Sequence, residues 1–326
     1  MVGDGGRAAL ASAGRGVDTG GVALVDDPLD RVELTGSYRD DETYPALVFN
    51  TTNRCNLSCR HCFVYRDANP NEAISPRLEL SDDEMCALLA ALRDRHQVHT
   101  ILWMGGEPLL RRSLLERGSA LFAKNHVVTN GTLPLVDLGS DALYIVSVDG
   151  PPEVNDGIRG EGTFARVMKN LERVPDGFRT PIQAQCTVTR ANEHRLAELV
   201  EMLVASRFEW MTFSFYVPPA EGDSPDAWAS NEERMGAVRE VMRLKEQYPG
   251  FVRNRTRALE LMAPELAPTV TADCPARRFI LPLYGEDGRY TTPYCCYGND
   301  VDCDRCGAWV VFMLAAGLEP SGSAPR

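Results

Sequence analysis

Residues 46–62 read ALVFNTTNRCNLSCRHC. The run at 46–52 is β-rich and turns polar at its end, which predicts a strand running into a loop. That loop carries Cys55, Cys59 and Cys62, with three residues between the first two and two between the last two. A cluster that only transfers electrons is usually held by four thiolates, so three at this spacing fit a [4Fe-4S] cubane with one iron left open. A zinc loop is the alternative, but it lacks a nearby fourth cysteine, and the competing ligand His61 adjoins Cys62. Placed straight after the first strand, the loop falls at the C-terminal mouth of a parallel array, where α/β barrels carry their chemistry.

Downstream, five more β-rich runs alternate with helical periodicity: TILWMGG (100–106), HVVTNGT (126–132), ALYIVSVDG (142–150), IQAQCTVTR (182–190) and WMTFSFYVP (210–218). This alternation predicts an α/β fold with a curved parallel sheet and crossover helices, six units in all. Ser81 and Glu84 form a capping box ahead of a helix whose inner stripe is Met85, Leu88, Leu89 and Leu92. Residues 193–206 and 231–248 repeat that style. Within IQAQCTVTR, Ala184, Cys186 and Val188 share one face, and Gln183, Gln185, Thr187 and Thr189 share the other. A barrel packs its apolar outer face on helices, so the polar set is expected to line the lumen. The same count groups Ser147 with Asp149, and Thr212 with Ser214 and Tyr216.

With 326 residues, 44% of them apolar, the chain can bury one large core or two modest domains. A formal net charge of −12 disfavours nucleic acid and anionic membrane surfaces as partners. Neither a spanning apolar run nor a signal peptide is legible, so a cytoplasmic location is expected. Ten cysteines in a reducing compartment read as metal chemistry rather than disulfides. Residues 1–44 and 317–326 are expected to be flexible, 45–250 to form the barrel, and 251–316 to form a compact extension. That extension holds Cys274, Cys295, Cys296, Cys303 and Cys306, and it is too small for a core without an iron–sulfur or zinc staple. Spacing does not choose between Cys295 and Cys296. Cys86 and Cys186 read as packing residues.

The order of motifs over residues 46 to about 216 resembles the radical S-adenosylmethionine (SAM) superfamily. Its marks here are Cys-x3-Cys-x2-Cys after the first strand, TILWMGGEP, VTNGT (128–132) and SVDG (147–150). The following NDGIRGEGTF resembles the corresponding segment of the peptide-maturase subgroup. The resemblance implies a partial (β/α)6 TIM-like barrel, with a [4Fe-4S] cluster on Cys55, Cys59 and Cys62 that binds SAM at its open iron. It places Gly105, Gly106 and Glu107 by the methionine amino group, and Asn130, Ser147, Asp149 and Gln185 among the cofactor contacts. Arg159 is expected at the SAM carboxylate or in a surface salt bridge. His61 occupies the place where the family usually has an aromatic residue, near the adenine. Thr212, Ser214 and Tyr216 are expected to face substrate.

The C-terminal segment is similar to the SPASM or shorter twitch extensions of the family. A full SPASM segment carries more cysteines, so the likeness implies a twitch-type, single auxiliary [4Fe-4S] cluster on Cys274, Cys295, Cys303 and Cys306. A zinc ribbon is the alternative. Cys296 is then spare, either a small buried hydrophobe or a thiol that returns hydrogen to a substrate radical.

The implied activity is one-electron cleavage of SAM to a 5′-deoxyadenosyl radical that takes hydrogen from substrate, with flavodoxin or ferredoxin as electron donor. The expected substrate is a small polar natural-product intermediate, such as a sugar, aminocyclitol or nucleoside in an antibiotic pathway, which is oxidised, epimerised or subjected to elimination. The rivals are modification of a ribosomal peptide, adenosylation as in the hopanoid branch, and a non-catalytic zinc or iron–sulfur binding protein.

Overall fold

The computed structural model describes residues 27–66 and 79–319. Nine strands form one sheet: β1 (Val32–Glu33), β2 (Ala46–Thr52), β3 (Thr100–Gly105), β4 (Lys124–Thr129), β5 (Ala142–Ser147), β6 (Ile182–Val188), β7 (Trp210–Phe215), β8 (Ile280–Glu286) and β9 (Arg289–Thr291). Their order is β1-β9-β8-β2-β3-β4-β5-β6-β7. From β2 to β7 every strand pairs in parallel with the next one in the chain. This is the expected open, partial (β/α)6 arrangement.

The strand ends are shorter than the β-rich runs suggest, because their polar tails bond within loops. Gly131 has φ of 68° and donates its N–H to Thr129 Oγ1, and Thr189 N–H donates to Asn192 Oδ1. Inside the ladders Phe49, Trp103, Val146, Ala184 and Phe213 are fully buried and hold the helices to the sheet. The helix Asp82–His96 begins with both halves of the Ser81–Glu84 capping box and buries Met85, Leu88, Leu89 and Leu92 as its periodicity requires. Residues 193–206 resolve into a short 3-10 turn and the helix Leu196–Val204, and 231–248 into Asn231–Gln247.

Residues 1–26 and 320–326, within the segments expected to be flexible, lie outside the described residues. From Asp27 onward the chain is built into the fold: β1 pairs with β9, and Tyr38 and Tyr44 are buried. Nor is the segment after Gly250 a separate lobe. Its strand β8 adds to the sheet at the free edge of β2, with Ala46 opposite Ile280 and Phe49 opposite Leu283. Its last helix, Trp309–Leu318, covers the other end, where Trp309 N–H donates to Ser214 Oγ at 3.1 Å. Periodicity does not reveal that helix, since WVVFMLAAGL is apolar on every side. Among the described residues, no helix is long and apolar enough to cross a membrane.

Candidate cofactor and cluster sites

The cysteine loop leaves β2 at Thr52 and is pinned from several sides. Gly106 N–H donates to Thr52 O at 2.7 Å, and Glu107 N–H to Arg54 O at 2.9 Å. A Cβ on Gly106 would lie 2.0 Å from Arg54 O, and one on Gly105 would lie 2.3 Å from Asn50 Oδ1. These glycines therefore admit the chain's own cysteine loop, a requirement prior to any approach of ligand. Asn53 Nδ2 donates to Gly285 O at 2.7 Å, tying the loop to β8. Arg60 forks onto the buried Asp226 with contacts of 2.6 and 3.2 Å, and its N–H donates to Ile158 O.

Around the loop the structure gathers most of the expected residues. Asn130 Nδ2 donates to Asn56 Oδ1 at 2.9 Å and lies 3.9 Å from Cys55 Sγ, while Arg159 Nη1 lies 3.9 Å from Cys59 Sγ. Glu107 is fully buried; its carboxylate accepts from Leu109 N–H, Thr129 Oγ1 and Asn130 N–H at 2.8 to 2.9 Å. Burial pushes its pKa up against those three donors. No cation among the described residues forms an ion pair with Glu107.

Asp149 is the knot of the site. Its Oδ2 meets His61 Nε2 at 2.8 Å and Arg159 Nε at 2.6 Å, the latter an ion pair rather than an aligned hydrogen bond. Its Oδ1 accepts from Thr187 N–H, and its backbone N–H and C=O bond Asn155 and Asn192. Burial alone would raise the carboxyl, but the Arg159 charge and His61 outweigh it and hold the group well below the usual carboxylate range. Arg159 is thus buried beside the cluster loop and is not a surface residue.

Ser147 and Gln185 sit half-buried at the mouth. Thr212 and Ser214 are covered. Thr212 Oγ1 accepts from Gln183 Nε2 at 2.5 Å, and Ser214 lies under Trp309. Tyr216 is buried with the Arg66 guanidinium over its ring, and its hydroxyl accepts from Ser224. Sequence reasoning missed Arg60, Asp226 and Asn192. Their only sequence signal is polarity, which does not announce a long-range partner.

The donor set of the loop fits an iron–sulfur group. Burial raises all three thiols, that of Cys59 to about 11, and neighbouring thiolates of the loop add to this at Cys55 and Cys59. Backbone N–H groups of Leu57, Val64 and Tyr65 point at Cys55 and Cys62, favouring thiolates that iron would hold. Beside them, His61 Nδ1 is buried with no hydrogen-bond partner. Among the described residues, no three His, Cys, Asp or Glu side chains converge closely enough for a single metal ion. Cys55, Cys59 and Cys62 would hold the cluster, with the buried Glu107 carboxylate held by its three donors close by.

A second site lies across the sheet mouth. Cys274, Cys295, Cys296, Cys303 and Cys306 all line one pocket. Burial and neighbouring thiolates push Cys295 and Cys306 up to about 12. Tyr297 N–H donates to Cys295 Sγ at 3.4 Å, and the Cys303 thiol lies 3.7 Å from Tyr294 Oη. Cys296 is buried in the same wall, its carbonyl accepting from Tyr284 Oη at 2.8 Å.

Residues 49–203 match the Radical SAM superfamily model. The chain is 30% identical over 176 residues to pre-heme d1 synthase of Dinoroseobacter shibae, covering 48% of this chain and 40% of that one. It is also 30% identical over 166 residues to the mycofactocin maturase MftC of Mycolicibacterium smegmatis, covering 48% and 41%. The chain thus spans less than half the length of these curated relatives. The fold is shared with anSMEcpe solved with AdoMet and the Cp18Cys peptide, at TM-score 0.58 and 16% identity over 84% of this chain and 80% of that one. SuiB of Streptococcus suis bound to SAM gives TM-score 0.55 at 14% identity, covering 74% and 58%. Over residues 49–203, a little under half of its length, the chain carries the Radical SAM superfamily domain, that of enzymes that use a [4Fe-4S] cluster and SAM.

Proposed function

We propose that the protein is a two-cluster radical SAM enzyme acting on a small polar natural-product intermediate, and that Cys274, Cys295, Cys303 and Cys306 hold an auxiliary [4Fe-4S] cluster. The observation that carries the two-cluster reading is the convergence of those cysteines on one cavity. Cys295 is favoured over Cys296 as ligand because Tyr297 N–H is aimed at its sulfur. The cluster and SAM, when bound, supply a 5′-deoxyadenosyl radical after one-electron reduction by a donor such as flavodoxin or ferredoxin. The chain's part is positional. Glu107 receives the ammonium of SAM, Asp149 locks His61 and Arg159 beside the loop, and Gly105 and Gly106 let that loop close on β3. Gln185 and Ser147, both half-buried, would meet the nucleoside part of SAM.

Modification of a peptide is the second reading, favoured by the similarity to the mycofactocin maturase MftC and the sporulation killing factor maturation protein SkfB. The test is deuterium transfer into 5′-deoxyadenosine from perdeuterated aminosugars, cyclitols and nucleosides, run against deuterated precursor peptides. Label arriving from a small molecule supports the first reading. Label arriving only from peptides replaces it with the second.

A further inference from the structure

Arg234 lies in the helix Asn231–Gln247 and is 1% exposed, one of the largest fully buried side chains of the protein. Its Nη1 donates to Arg305 O at 2.9 Å and Cys306 O at 2.8 Å, its Nη2 reaches Met262 O at 3.4 Å, and its Nε is buried with no hydrogen-bond partner. Among the described residues, no carboxylate forms an ion pair with it; the nearby Asp302 is committed to Arg305 at 2.7 Å. Burial opposes its charge, and the Cys306 sulfur, once ionised, favours it. A second guanidinium, half-buried, stands in the pocket wall. Arg277 lines the cysteine cavity, bonds Tyr294 Oη at 2.7 Å, stacks on that ring, and also leaves a buried Nε without a hydrogen-bond partner.

An arginine cannot shed its charge in a protein, and a buried ion without a partner is destabilising. Carbonyl dipoles offset only part of that. What completes the balance is an anion in the cavity. A [4Fe-4S] core on four thiolates carries about −2 in its oxidised state, with two ferric and two ferrous ions set against four sulfides and four thiolates.

We propose that Arg234, with Arg277, is the built-in counter-charge of an anionic cluster at the second cysteine site, Arg234 acting from behind the Cys303–Cys306 turn and Arg277 from the cavity wall. The proposal rests on the reading of that cavity as the seat of a [4Fe-4S] cluster. Reduction adds one more negative charge, so a fixed cation behind the turn that carries the ligands raises the potential.

The test uses the full chain carrying Cys55→Ala, Cys59→Ala and Cys62→Ala, reconstituted anaerobically so that only the second cluster remains, with its midpoint potential read by redox titration and electron paramagnetic resonance. Arg234→Lys keeps the charge and loses the fork. Arg234→Gln keeps donors for the carbonyls and loses the charge. The lysine variant should titrate with its parent. The glutamine variant should show at least a tenfold lower reduced-to-oxidised ratio at the same applied potential, a shift of about 59 mV for one electron. Coincident titrations of parent and Arg234→Gln, or an equal shift in both variants, overturn the proposal and leave Arg234 a carbonyl tie. If Arg234→Gln does not fold, the lysine variant decides alone: parental iron content and potential support the proposal, and loss of either overturns it. A parent that carries zinc or no iron at all is read before any arginine variant, and it removes the two-cluster reading together with the proposal.

Discussion

The ring of Phe63 lies 4.8 Å, centroid to centroid, from that of Tyr297, with the planes tilted by 48°. Phe63 directly follows the last cysteine of the first loop and Tyr297 follows Cys295 and Cys296, so this contact joins the two cysteine sites by side chains alone. An aromatic pair of this kind contributes about 0.5 to 1.5 kcal/mol beyond its buried area. A double-mutant cycle of Phe63→Leu and Tyr297→Leu, read by chemical denaturation, should return a coupling in that range. A coupling of zero shows that the two segments are held together by β8 and the loop bonds without help from the rings.

Asp149→Asn leaves Arg159 buried without its anion. The expected loss is about 3 to 5 kcal/mol of stability, measured by thermal or urea unfolding. The pH dependence has a definite sign. The folded carboxyl is held below the unfolded value of about 3.9, so its stabilisation is complete above about pH 4 and fades as pH falls toward the folded value. The parent should therefore lose stability on acidification below pH 4 more steeply than Asp149→Asn. Parallel acid limbs for the two proteins contradict the assignment.

Gly106→Ala drives a Cβ to 2.0 Å from Arg54 O, a backbone atom that cannot yield without moving the cysteine loop. Overpacking of this kind costs about 1 to 3 kcal/mol, and it should empty the first cluster while sparing iron at the second. Gly157, inside the helix Pro152–Arg159, has open space where a Cβ would go. Gly157→Ala should thus stabilise the chain by about 0.5 to 1 kcal/mol. Equal iron content in the two variants would show that the loop tolerates the extra carbon.

Glu107→Gln removes the charge expected to meet an ammonium group while keeping the shape of the side chain. A hydrogen bond to a charged group is worth about 1.5 to 3 kcal/mol, so SAM affinity of the reconstituted chain should fall by roughly one to two orders of magnitude. An unchanged dissociation constant in equilibrium dialysis assigns Glu107 to loop architecture alone.

The parts of the fold governed by local pattern were legible in sequence. Six strands and the Ser81–Glu84 box follow from alternation and capping chemistry, and the spacing of Cys55, Cys59 and Cys62 announced the cluster loop. Pairings across the sheet were not legible. Nothing in ILPLYGE reveals that β8 extends the edge of β2, because register between distant strands is fixed by tertiary packing. Sequence carries no burial for a lone arginine, so it leaves Arg159 between a SAM contact and a surface ion pair; in the fold it is buried and closes on Asp149. Face counting alone points Thr212 and Ser214 toward substrate and does not foresee Gln183 bonding the first or the helix Trp309–Leu318 covering the second.

The central claim is that the chain holds two clusters with separate duties, the first cleaving SAM and the second not. The most direct measurement compares the anaerobically reconstituted parent with the Cys55→Ala, Cys59→Ala, Cys62→Ala variant, reading iron per chain and reductive release of 5′-deoxyadenosine from SAM. The account predicts about eight irons and SAM cleavage in the parent, against about four irons and no cleavage in the variant. Cleavage that survives the triple substitution, or a variant left without iron, contradicts it.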